Sequence, residues 1–303
     1  MRNLKPKPPL GPAEQIAHLE AKGLVIEDPN AAIQAIQTVG FYRFKGFALS
    51  FRNPESPMRR YMPGTRFGDV LKVRDTDNRL RSDLFTGIQQ LEPMIRSAIT
   101  ESWCIRHGAT WYGDVKHFRS ETEHERQLNT WLNNFRRQAS RESFVKRFIT
   151  VHGPNALPPS WMLLEVITIG DLSHMYRQLR PSPEKTRIAN HFGLKSTNIF
   201  EEWLHCMSHL RNVVCHHGRI WNAPFGIIPS RKSLLINSDG SAVLHRHRLA
   251  GQVQVLHNLL KAVDPGCASK WIARFQRSTN GLDDTDLANL GFSPDWHADP
   301  AFN

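Results

Sequence analysis

The chain has 303 residues, with 39 Lys and Arg against 28 Asp and Glu, a formal net charge of +11 and 40% hydrophobic residues. This length supports one large domain or two closely packed ones, and no apolar run approaches the roughly 20 residues that a bilayer crossing needs, which argues against an integral membrane protein. The positive surplus attracts polyanions, whose condensed counterions are released on binding, and points to nucleic acid; exposed helix faces rich in arginine are the plainer alternative.

In chain order, residues 1–11 read as a flexible basic start, Met1-Arg2-Asn3-Leu4-Lys5-Pro6-Lys7-Pro8-Pro9, with no apolar signal segment behind it, so secretion is not expected. Residues 12–22 read as a short helix with Pro12 in its first turn and Gly23 at its end, and 30–39 as a second, with Asn30 as N-cap and Gly40 as stop. In 41–51 the aromatics at 41, 44, 47 and 51 alternate loosely enough to suggest a strand, but they fit one helical face, and helix is favoured. Residues 53–64, with three prolines and a glycine, form a loop.

From 67 to about 105 the pattern is strongly helical, with Val70, Leu71, Leu80, Leu84, Ile88, Leu91, Ile95 and Ile99 on the buried side and Pro93 as a kink point. Residues 121–138 read as an exposed helix with Leu128, Trp131, Leu132 and Phe135 on its apolar side. A connection at 153–159 leads into 161–179, a helix runs through Ile188, and another spans about 200–217, capped by Thr197 or Asn198. Loop is expected over 220–240, helix over 249–263 and 269–275, then a polar tail. With no βαβ alternation, the fold class is all-α. Cys104, Cys206, Cys215 and Cys267 are scattered without a C-x-x-C pair, which suits a reducing cytoplasm and suggests neither disulfides nor a thiolate zinc site.

One segment carries chemistry, Arg211-Asn212-Val213-Val214-Cys215-His216. On a helical wheel Trp203, Met207, Leu210 and Val214 share a core stripe with Leu204 beside it, while His205, His209, Asn212 and His216 gather on the opposite side, with Arg211 at the border. Three readings stay open for this face: a solvated helix side, a metal site using His205 and His209 at i, i+4, or a phosphodiester-cleaving site. The last has a simple chemical basis. RNA's 2′-hydroxyl attacks the adjacent phosphate once a base removes its proton, histidine can move that proton, and arginine's planar fork suits phosphate oxygens, so neither metal nor cofactor is called for. Arg211 and His216 point far apart on one helix, and a symmetric dimer would complete the cleft. The spacing alone is a weak signal, because Arg119…His124 and Arg147…His152 repeat it; both are read as coincidental.

The chain resembles the Abi-type abortive-infection proteins of bacteria, a branch of the HEPN superfamily, nearly end to end. The resemblance is carried by Glu14-Gln15-Ile16, Leu19, Gly23-Leu24, Val39-Gly40-Phe41-Tyr42-Arg43 with Gly46, Asp77, Leu80-Arg81, Glu92 and Arg96. It continues in Pro159-Ser160-Trp161, Glu165, Ile169-Gly170-Asp171-Leu172-Ser173, Tyr176, Leu179, Trp203, Leu210-Arg211-Asn212 through Trp221-Asn222, and Gly291-Phe292-Ser293-Pro294-Asp295-Trp296. Cys215 stands where the family often has alanine.

The resemblance implies a HEPN-type helical bundle with additional N-terminal and C-terminal helices. It also implies a homodimer and metal-independent RNA cleavage in phage defence, with Arg211, Asn212 and His216 as catalytic residues. Some relatives are accompanied by a small non-coding RNA. His205, His209, His217 and Arg219 are further candidates for RNA binding. Glu92 and Arg96, at i, i+4, are expected to form a structural ion pair, with contact to the cleft as the alternative. Trp161 and Trp203 are expected in the core. The expected organisation is a single domain over 12–280, divided into 12–110, an insertion at 111–158 and a catalytic part at 159–280, with a tail at 281–303. A non-catalytic protein that holds RNA and a nucleotide-modifying protein with a partner transferase are the rival functions. A restraining partner, RNA or protein, is expected for an active nuclease.

Overall fold

The computed structural model describes residues 8–230, 245–299 and 302. Among these the chain is all-α, as expected, and its only β features are three isolated bridges. The helices are α1 (Pro12–Glu20), α2 (Pro29–Val39), α3 (Phe41–Phe47), α4 (Phe67–His107), α5 (Glu121–Arg137), α6 (Ser143–His152), α7 (Ser160–Val166), α8 (Ile169–Gln178), α9 (Pro183–His191), α10 (Thr197–Cys215), α11 (Leu249–Val263), α12 (Pro265–Thr279) and α13 (Asp284–Leu290). The chain falls into two compact units, one comprising the described residues up to Arg81 with Arg219–Asn222, the other Ser82–Gly218 with the described residues from Ala223 onward.

In the first unit, α2 starts one residue earlier than expected and is capped by Asp28 rather than Asn30. The Asp28 carboxylate accepts from Asn30 N (2.9 Å) and Ala31 N (3.0 Å), while Pro29 takes the first helical position, where a missing N–H costs nothing. Residues 41–47 are helical, not extended, because Phe44 and Phe47 at i, i+3 both reach the core, where Phe44 stacks on Phe67 at 4.5 Å. The polar centre of this unit is Asp77, which is fully buried. One carboxylate oxygen accepts from Ile220 N and Trp221 N, both at 2.8 Å, and the other from Arg81 Nε at 2.9 Å. One side chain of α4 thereby fixes a segment more than a hundred residues further along the chain.

The expected stripe of α4 is buried in both units except at Leu71, which is half-buried, and in the second unit the helix continues through Pro93. Three elements differ from the sequence reading. Residues 161–179 form two helices, because Thr168 and Asp171 make a reciprocal capping box that restarts the chain: Asp171 N donates to Thr168 Oγ1 (3.1 Å) and Thr168 N to Asp171 Oδ2 (3.0 Å). Helix α6 was not expected; it is anchored by only two buried apolar residues, Val145 and Phe148, the latter edge-on to Phe135 at 5.9 Å. The final segment is not a polar tail, since it forms α13 and buries Leu290, Phe292, Trp296 and Phe302. Residues 220–230 are loop as expected, and 231–240 lie outside the described residues.

Helix α12 approaches α4 at Gly87. A β-carbon there would stand 2.6 Å from Trp271 Nε1 and 3.0 Å from Leu256 Cδ2, and the indole is fixed by donating to Asp83 O at 2.8 Å. Gly87→Ala is therefore expected to destabilise the protein by about 1–3 kcal/mol despite alanine's better helix propensity. Urea unfolding would measure this, and a variant as stable as wild type would show that the indole is not fixed.

Candidate functional site

Helix α10 starts at Ser196, whose hydroxyl accepts from Ile199 N at 3.4 Å; neither Thr197 nor Asn198 is the cap. Its core stripe is as expected, with Trp203, Leu204, Met207, Leu210 and Val214 buried. On the other side His205 and Asn212 are exposed, and His209 is half-buried with its ring edge-on to Phe225 at 6.1 Å.

The helix ends before His216, which corrects the wheel for that residue and the expected end at 217. His216 is the C-cap (φ −91°, ψ 16°), and its N–H donates to Asn212 O at 3.0 Å. His217 takes the left-handed conformation (φ 56°), His217 N donates to Val214 O (3.2 Å), and Gly218 N reaches back to Val213 O (2.7 Å). These two bonds define a Schellman closure, with histidine where glycine is usual. A β-carbon on Gly218 would meet Val213 Cγ1 at 3.0 Å, so the glycine allows the chain to fold back on the helix. Both histidine side chains are thus exposed on the closing turn rather than on the α10 face.

Arg211, in the last turns of α10, faces Glu92 of α4, with its Nε 3.9 Å from Glu92 Oε1. The other carboxylate oxygen accepts from Arg96 Nη2 at 3.3 Å, and Arg96 is itself fixed by donating to Leu164 O (2.7 Å) and Ile167 O (3.3 Å) at the end of α7. The expected ion pair between Glu92 and Arg96 is present, and the same carboxylate also faces Arg211. Among the described residues no hydrogen bond or ion pair joins Arg211 to His216. Arg219 belongs to the other unit, where its Nη1 donates to Trp221 O (2.6 Å) and Asn222 O (3.5 Å).

Partial desolvation by neighbouring atoms pushes the imidazoles of His117, His174, His205, His209 and His297 below the ordinary 6.5, with Arg177 adding to the effect at His205 and His205 at His209. The unfolded chain then binds more protons than the folded one below about pH 6.5, so stability is complete above that pH and is lost as pH falls toward the depressed values. The thermal midpoint is expected to be lower at pH 5.5 than at pH 7 at constant ionic strength, and a constant midpoint over that interval would contradict this.

Sequence reasoning missed Lys185, whose fully buried Nζ donates to Glu201 Oε1 (2.5 Å) and Leu179 O (2.8 Å) and lies 5.0 Å from the centre of the Tyr176 ring. Arg119 meets the same Glu201 oxygen at 3.1 Å, whereas His124 is buried and bonds Tyr112 O at 2.8 Å. The members of this second Arg-x4-His pair thus turn to different partners. His152 of the third pair packs on Phe148 at 4.7 Å. Trp161 is not in the core: it is 50% exposed because α7 buries Ser160, Leu163 and Leu164 on its opposite side, whereas Trp203 is buried as expected. Among the described residues no three His, Cys, Asp or Glu side chains are grouped so as to hold a metal ion, and no helix is long and apolar enough to cross a membrane.

A family model described as Abi-like protein matches residues 34–222, a span that starts within α2 and ends on the segment held by Asp77. The chain belongs to the Abi-like protein family. Membership implies a role in abortive infection. The matched span of this Abi-like protein includes Glu92, Arg96, Arg211 and His216. No curated protein and no solved structure matches the chain.

Proposed function

We propose that this Abi-like protein is a HEPN-type, metal-independent endoribonuclease that acts in the cytoplasm as a phage-defence toxin. The observation that supports this best is the bridge through Glu92, which faces both the anchored Arg96 and Arg211 and so holds Arg211 five residues before the exposed His216. In the proposed reaction the His216 imidazole takes the proton of a ribose 2′-hydroxyl. The freed oxygen attacks the adjacent phosphorus, and the bond from phosphorus to the 5′-oxygen breaks. That oxygen leaves with a proton from a second acid, and the products are a 2′,3′-cyclic phosphate and a 5′-hydroxyl. Arg211 binds the phosphate oxygens as charge builds on them, and Asn212 orients the substrate. Two copies in a symmetric homodimer would place two such helix ends at one cleft, the second supplying the acid. His205, His209, His217 and Arg219 add donors for RNA, which includes the substrate and a regulatory non-coding RNA.

The test is incubation of the purified protein with labelled single-stranded and structured RNAs in EDTA, with analysis of product ends. Cyclic phosphate or its hydrolysed form supports the reading. Tight RNA binding without cleavage, with and without added metals or candidate activating RNAs, would replace it with a non-catalytic protein that holds RNA.

A further inference from the structure

Three of the four tyrosines, Tyr61, Tyr112 and Tyr176, are buried, and the fourth, Tyr42 on α3, is 91% exposed. An aromatic ring left in water is a large apolar area without a partner. Four residues on, and so on the same face of α3, stands Gly46. A β-carbon there would be 3.8 Å from Arg219 Nε and 4.0 Å from its Cδ, ordinary contact distances, so Arg219 lies beside this face of the helix. Arg219 is held in that place by its bonds to Trp221 O and Asn222 O, within the segment that Asp77 fixes. Beside them the Lys45 ammonium sits 5.2 Å from the centre of the Phe41 ring, which His18 meets edge-on at 6.1 Å.

The charge of this unit shows what such a face attracts. Residues 1–81 hold 14 Lys and Arg against 8 Asp and Glu. Several of those acids are already engaged locally, Glu27 with Arg66, Asp69 with Lys72, Asp75 with Arg74 and Asp77 with Arg81, and Asp28 caps α2. A unit with this positive surplus and an open aromatic ring suits a polyanion that carries flat rings of its own, which is single-stranded nucleic acid.

We propose that Tyr42, Gly46 and Arg219 form a platform for single-stranded RNA, with a base stacked on the Tyr42 ring and a neighbouring phosphate against Arg219. This rests on the RNA reading given above.

The experiment measures binding of a single-stranded oligoribonucleotide carrying 2-aminopurine to the full chain with His216→Ala, which prevents cleavage. Adding Tyr42→Ala is expected to weaken binding about tenfold and to restore 2-aminopurine fluorescence, with the salt dependence unchanged because no charge is removed. Tyr42→Trp should bind at least as well as the parent, and Arg219→Ala should reduce the slope of log affinity against log salt by about 1. If the parent binds RNA and Tyr42→Ala binds it equally well, the platform is wrong while the ribonuclease reading survives. Unchanged RNA affinity with an altered oligomeric mass would overturn it in favour of a protein occupant. A parent that binds no RNA removes both readings.

Discussion

His216→Ala is expected to slow RNA cleavage by about 10²–10⁴-fold, the usual contribution of a positioned proton-transfer group. The substitution is structurally mild, because His216 is exposed and its backbone N–H, not its ring, closes the helix on Asn212 O. Arg211→Ala is expected to cost about 10²–10³-fold through lost stabilisation of the charged phosphorane, and Arg211→Lys should recover only part of it, since an ammonium lacks the planar fork. Glu92 keeps its partner Arg96 in either variant, so the fold should survive. Single-turnover rates on one labelled RNA, with thermal melts of each variant alongside, would check this. Two variants that melt like wild type and cleave at the wild-type rate would remove these residues from the reaction.

Asp77→Ala should produce the largest loss of stability. It leaves the Ile220 and Trp221 N–H groups without their acceptor and the buried Arg81 guanidinium without its carboxylate partner. Breaking a buried ion pair costs about 3–5 kcal/mol, and each abandoned buried donor adds about 1–3 kcal/mol before relaxation. A total above about 4 kcal/mol is a large part of a typical domain's stability. Asp77→Asn, which retains an acceptor but no charge, should fall between. Urea titration and limited proteolysis after Gly218 would report the effect, and a loss below about 1 kcal/mol would mean that water replaces the carboxylate at little cost.

Much of the fold was legible because amphipathic periodicity is written in the chain. The stripes of α4 and α10 follow directly from apolar residues three and four apart. What periodicity cannot show is where a polar side chain breaks a run, as Thr168 and Asp171 do between α7 and α8, or which of several cap-forming residues wins, as with Asp28 and Ser196. Helix α6 went unseen because two buried apolar residues among charged ones are a thin signal.

At the candidate site, the pairing of Glu92 with Arg96 was legible from their i, i+4 spacing, but the contact of Glu92 with Arg211 is tertiary and has no local trace. The wheel failed at His216 because the turn through His217 and Gly218 closes the helix early. The partners of Lys185 and Asp77 have no local trace either; only the fold brings Glu201 to one and the Ile220 and Trp221 amides to the other.

The clasp at Asp77 also sets an order of assembly during synthesis. The carboxylate leaves the ribosome 143 residues before its Ile220 partner. At a translation rate of about 5–20 residues per second this is an interval of roughly 7–30 seconds, during which Asp77 lacks the backbone donors that complete its unit. The same stretch of chain that supplies those donors directly follows the end of α10, so the N-terminal unit and the turn bearing His216 are finished together. A nascent chain interrupted before residue 211 carries neither, so a truncated product lacks both the completed N-terminal unit and the residues proposed for catalysis.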